Sequence, residues 1–132
     1  MARIMIIDDD VELAENLSIF LKDAGYTTQI LNDTKGATEK LIEETPDLLV
    51  LDVMFPEDQA AGFDLARKIR HTNEISSLPI ILQTGVNQHF PMDFSEKDID
   101  KKWMPVQKFV EKPIDMQKLL KKVQELLSVS GG

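Results

Sequence analysis

Residues 1–10 read MARIMIIDDD: a strand-length apolar run, Arg3 to Ile7, that stops at three consecutive aspartates, Asp8, Asp9 and Asp10. Carboxylates this close repel one another and raise each other's pKa, so the grouping costs stability unless a cation, a basic side chain or water offsets it. The pattern recurs downstream. Asp47 to Leu51 is a continuous apolar run halted at Asp52, Pro79 introduces Ile80-Ile81-Leu82 before Gln83, Thr84 and Gly85, and Lys108 to Glu111 ends at Lys112-Pro113.

Between these runs the hydrophobic period changes. Val11 to Ala24 place Leu13, Leu17, Phe20, Leu21 and Ala24 on one helical face, with Asp10 as N-cap and Gly25 as the stop. Tyr26 to Leu31 is a second strand candidate, and Thr34 to Glu43 a weaker helix with Ala37, Leu41 and Ile42 inward, punctuated by Pro46. Helical spacing returns at Phe63, Leu65, Ala66 and Ile69. Asp115 caps a last helix whose face is Met116, Leu119, Leu120, Val123, Leu126 and Leu127, and residues 128–132 read as a frayed tail. Five strands alternating with helices give an α/β (βα)5 unit, and continuous rather than alternating hydrophobicity points to strands buried on both faces of a parallel sheet. The expected organisation is one doubly wound domain over residues 1–127 with no separate output module.

Composition narrows the function. The formal charge of −8 over 132 residues leaves no basic surface able to neutralise several phosphates, so direct nucleic-acid binding is not expected. Without cysteine there is no disulfide framework or thiolate metal site, which suits a cytoplasmic setting. No signal-peptide signature or membrane-length apolar run is present. His71 and His89 are isolated and take no role.

In a doubly wound sheet the right-handed crossovers bring all strand carboxyl ends to one edge, where ligands bind. Asp8, Asp9, Asp52, Thr84 and Lys112 should therefore converge. Oxygen-only ligands suit a hard cation, and a site that keeps waters and expects a phosphoryl group is more like Mg²⁺ than Ca²⁺. Asp52 can act as a nucleophile toward phosphorus, provided a divalent ion screens the approach of an anionic donor to an acidic pocket. Asp9 would bind that ion directly and Asp8 directly or through water, while Lys112 and Thr84 would meet phosphoryl oxygens. An acidic run is more often a solvated face, and Thr84-Gly85 or Lys112-Pro113 alone could be any turn or loop. Their value lies in co-occurrence.

The chain resembles the receiver domain of two-component response regulators, through IMIIDDD (Asp8, Asp9), LLVLDVMFP (Asp52), PIILQTG (Thr84, Gly85) and FVEKPI (Phe109, Lys112). The resemblance covers nearly the whole chain. It implies a flavodoxin-like fold of strand order 2-1-3-4-5 and Mg²⁺-dependent phosphorylation of Asp52 by a histidine kinase or histidine phosphotransfer protein, Mn²⁺ being an alternative ion. It further implies the Met54 backbone carbonyl as a metal ligand, Thr84, Gly85 and Lys112 around the phosphoryl group, Phe109 as a switching aromatic, and a cis peptide before Pro113. Output would pass to an unknown downstream protein, or to a homodimer through the strand 4, strand 5 and last-helix face. Apolar Met54 and Val86, two positions past Asp52 and Thr84, stand where family members often carry polar residues that position a hydrolytic water, so a long-lived phosphoryl group is expected. No turnover of an external substrate is expected.

The sequence departs from the family pattern twice. The loop FPEDQAAG, residues 55–62, is about two residues longer than usual, and VNQHFPMDFSEKDIDKKWMP, residues 86–105, replaces a compact helix. Phe90, Phe94 and Trp103 in that segment are candidates for a partner surface or lid. Two rival readings share the fold or the nucleophile: a phosphate-independent interaction module, and a phosphohydrolase working through an aspartyl phosphate. The second normally needs another aspartate where Met54 stands.

Overall fold

A computed structural model describes residues 2–52, 61–85, 108–112 and 114–130, and for Thr84, Gly85, Phe109 and Lys112 it describes the backbone alone. The strands are β1 (Arg3–Ile7), β2 (Thr27–Leu31), β3 (Leu48–Asp52), β4 (Ile80–Gly85) and β5 (Lys108–Lys112). Among the described residues the helices are α1 (Val11–Asp23), α2 (Ala37–Glu44), α3 (Ala61–Arg70) and α4 (Met116–Ser130), with a 3₁₀ turn at Asn73–Ile75. All strand pairings are parallel, and the order is β2-β1-β3-β4-β5, the flavodoxin-like topology expected from the sequence.

Alternation along the strands sorts the core into two layers. Met5, Ile7, Leu49, Leu51, Ile80 and Leu82 pack with Ala37 and Leu41 of α2 and with Leu65, Ala66 and Ile69 of α3. Ile4, Ile6, Leu48, Val50, Ile81 and Val110 pack on the other face with Ala14, Leu17 and Leu21 of α1 and Leu119 and Val123 of α4. All five residues of β3 are buried, which is why its sequence is apolar without alternation. β2 is an edge strand, half exposed, and can afford the polar TTQIL.

Local chemistry sets the element ends. Asp10 caps α1 through Oδ1, which accepts from the Leu13 amide at 3.0 Å. Asp115 does the same for α4, accepting from Gln117 and Lys118 at 3.0 and 3.2 Å. α2 begins at Ala37, three residues later than its hydrophobic spacing suggests, because Asp33 Oδ1 takes the Lys35 amide at 2.9 Å in a turn and Gly36 then adopts φ 66°. β3 starts at Leu48 instead of Asp47, whose carboxylate accepts the Arg3 amide at 2.8 Å and ties β3 to the start of β1. α4 continues to Ser130, past the end expected at Leu127. The long segment with Phe90, Phe94 and Trp103, the Met54 and Val86 positions, His89 and the Pro113 peptide lie outside the described residues.

Candidate functional site

The carboxyl ends of β1, β3 and β4 are adjacent in the sheet. Ile7 pairs with Leu51, and Asp52 pairs with Gln83, so the residues that follow these positions share one edge. On the face that carries Ile4, Ile6, Leu48, Val50 and Ile81, two-residue periodicity extends the apolar layer by one more step to Asp8, Asp52 and Gln83. Polar groups replace the apolar layer there. All three residues are fully buried.

Asp8, Asp9 and Asp52 each present a carboxylate oxygen within 4.8 Å of the others. Asp9 is half-buried and gives the cluster its contact with solvent. Burying ionised carboxylates is costly unless they are paired and hydrogen-bonded, so the local bonds of Asp8 matter. Its Oδ1 accepts the Asp10 amide at 2.9 Å, and its Oδ2 accepts Gln83 Nε2 at 3.3 Å. Its backbone is held as firmly: the Asp8 amide donates to the Leu31 carbonyl at 2.9 Å, and Asn32 Nδ2 donates to the Asp8 carbonyl at 3.0 Å. The β1–β2 pairing thus fixes the position of a site residue.

The donor set is three carboxylates that converge from two strand ends, all hard oxygen ligands. It fits a divalent cation such as Mg²⁺, which takes one or two carboxylates and retains waters. A thiolate- or imidazole-seeking metal would find no suitable ligand among these side chains. The backbones of Thr84 and Gly85 end β4, and Gly85 pairs in register with Lys112 at the end of β5. The side-chain directions of Thr84, Phe109 and Lys112 fall outside what is described. His71 is exposed at the end of α3, apart from this edge.

Two residues escaped the sequence reading. Gln83 read only as the end of an apolar run, yet it is buried against Asp8. The signal was a lone amide where PIILQTG would otherwise continue the core. Asn32, just after β2, gave no signal at all. A cleft of about 530 Å³ lined by Ala2, Pro46, Asp47, Leu78, Pro79 and Leu127 lies at the opposite, amino-terminal edge of the sheet and does not bear on the carboxylates.

Comparison with known proteins agrees with this geometry. The family described as the response regulator receiver domain matches residues 4–124. The chain is 32% identical over 133 residues to regulatory protein VanRB of Enterococcus faecalis, covering 98% of this chain and 54% of that protein. It is 29% identical over 127 residues to the DNA-binding dual master transcriptional regulator RpaA of Synechocystis, covering 96% of this chain and 49% of that one. The chain therefore spans about half the length of these curated relatives. Among solved structures, the chemotaxis protein CheY4 of Vibrio cholerae superposes with a TM-score of 0.78 at 25% identity, covering 96% of this chain and 99% of that one. The receiver domain of a signal transduction histidine kinase from Syntrophus aciditrophicus gives 0.77 at 27% identity, covering 97% and 91%. With the family matched from β1 into α4 and the acidic edge in place, the chain belongs to the response regulator receiver domain family.

Proposed function

We propose that the protein is a phosphorylatable receiver in which Asp52 takes a phosphoryl group from the phosphohistidine of a sensor kinase or phosphotransfer protein. The observation that carries this reading is the convergence of Asp8, Asp9 and Asp52 within 4.8 Å at the carboxyl edge. In the reaction an Asp52 oxygen forms the new bond to phosphorus while the phosphorus–nitrogen bond breaks and the imidazole leaves with the electron pair. Mg²⁺, when bound, would neutralise the charge of an anionic donor beside an acidic pocket. Asp8, Asp9, Asp52 and the Met54 carbonyl would hold it. Lys112 would give a point positive charge to one phosphoryl oxygen, and Thr84 and the Gly85 backbone would donate to others.

The output follows from charge. Phosphorylation adds about two negative charges at Asp52, which would draw Thr84 inward and let Phe109 turn into the space behind it. The β4, β5 and α4 face would then change its affinity for a partner protein or a second copy. Some relatives are named as DNA-binding regulators, but the −8 charge of this chain disfavours duplex contact by this unit, so the signal is read as altered protein contacts. Residues 1–127 form the receiver unit in this reading, working in the cytoplasm. Among the described residues no helix is long and apolar enough to cross a membrane.

Acetyl phosphate with Mg²⁺ should add one phosphoryl group to the protein by intact mass, and chelation or Asp52→Asn should abolish it. Label persisting in the Asn variant would refute the acceptor. With Met54 and Val86 in place of polar residues, the label should decay over minutes; loss within seconds would contradict that part. An unlabelled protein that ignores Mg²⁺ would favour a phosphate-independent interaction module. Turnover of phosphate esters would favour a hydrolase, a reading that the methionine at position 54 already weakens.

A further inference from the structure

Gln83 is buried to 0% exposure beside two buried carboxylates, and its two amide atoms have different surroundings. Nε2 donates to Asp8 Oδ2 at 3.3 Å, while Oε1 is shielded from solvent and meets no hydrogen-bond donor among the described residues. The amide is oriented this way by charge, since turning it over would press Oε1 against a carboxylate. A buried amide oxygen without a donor is costly, and a bound water or ion is one of the species that relieves such a cost in native structures. The neighbouring residues on the same strand face, Ile81 and Val50, are wholly apolar, so a leucine or methionine at position 83 would continue the core without that cost.

We propose that Gln83 is a positioning residue of the cation site. Its Nε2 fixes the Asp8 carboxylate from the β4 side, and its Oε1 accepts a hydrogen bond from the hydration shell of the bound ion. The chemistry suits both halves. Mg²⁺ sheds its waters reluctantly, and those waters are donors that need acceptors on the buried side of the site, where Asp8, Asp52 and Gln83 have no exposure. Asp52 is the register partner of Gln83, so the amide sits beside the proposed acceptor as well as beside Asp8. The inference rests on the cation site of the proposed function but adds a residue from β4 to it.

Calorimetric titration with Mg²⁺ and denaturation in chelator test this on wild type and Gln83→Met, an unbranched replacement of similar volume. The variant should bind Mg²⁺ on the order of tenfold more weakly, the loss typical of an outer partner of a metal ligand, while remaining folded in chelator. Affinity within twofold of wild type, in a variant shown to be folded in chelator, would overturn the proposal. Should the variant not fold, the wild-type protein gives the answer: the Gln83 side-chain amide pair, assigned by triple-resonance NMR, should shift on Mg²⁺ addition, and an unmoved pair would overturn the proposal. Wild type that binds no Mg²⁺ would fail the receiver reading itself; wild type that binds while Gln83→Met binds equally well fails only this inference.

Discussion

Asp9 is the member of the acidic trio through which its electrostatics can be measured. At a separation of no more than 4.8 Å and an effective dielectric of about 20, two carboxylates repel by at least roughly 3 kcal/mol before solvent screening. Asp9 is half-buried, so screening removes much of this. Asp9→Asn should raise metal-free stability by about 1 kcal/mol in chelator-containing urea titrations and weaken Mg²⁺ binding by at least roughly tenfold. Unchanged stability together with unchanged affinity would mean the carboxylates do not share a site. The trio was legible in the sequence because Asp8 and Asp52 each end an apolar run, with Asp9 next to the first, and residues in that place must lie at the carboxyl edge of a parallel sheet. Gln83 was not legible as a site residue, since an amide after an apolar run also marks a strand end, and only packing against Asp8 distinguishes the two.

At the scale of elements, caps and turns decide where the periodic segments begin. Asp10 closes the acidic run DDD but spends its carboxylate on the Leu13 amide, and so stands apart from Asp8 and Asp9 in function. Asp10→Ala should cost about 1 kcal/mol of stability by chemical denaturation and still accept label from acetyl phosphate. Loss of labelling at retained stability would place Asp10 in the site instead. α1 and α4 were readable to within a few residues because aspartate caps announce their starts, whereas α2 starts late on the αL conformation of Gly36, with no side-chain cap. In α2 the Glu39 carboxyl is held below its usual range by its own backbone N–H and then by the Thr38 hydroxyl. Its contribution to that helix is complete above pH 4.5 and fades as pH falls through the lowered value.

For the whole molecule, the apolar layers and the polar site are one pattern read to its end. Strand residues alternate between two helical layers, and the same alternation carries Asp8, Asp52 and Gln83 onto one face where the strands stop. The buried parallel sheet was readable from the continuous hydrophobicity of the central runs and its strand order from the family resemblance alone, and the 86–105 segment was not, because its aromatic residues and charges follow neither period. Convergence of distant strand ends on one cation is the claim on which the function depends. An anomalous difference map from crystals grown with Mn²⁺ tests it most directly. A single peak about 2 Å from carboxylate oxygens of Asp9 and Asp52 is expected. No peak at the carboxyl edge, or one bound without Asp52, would contradict it.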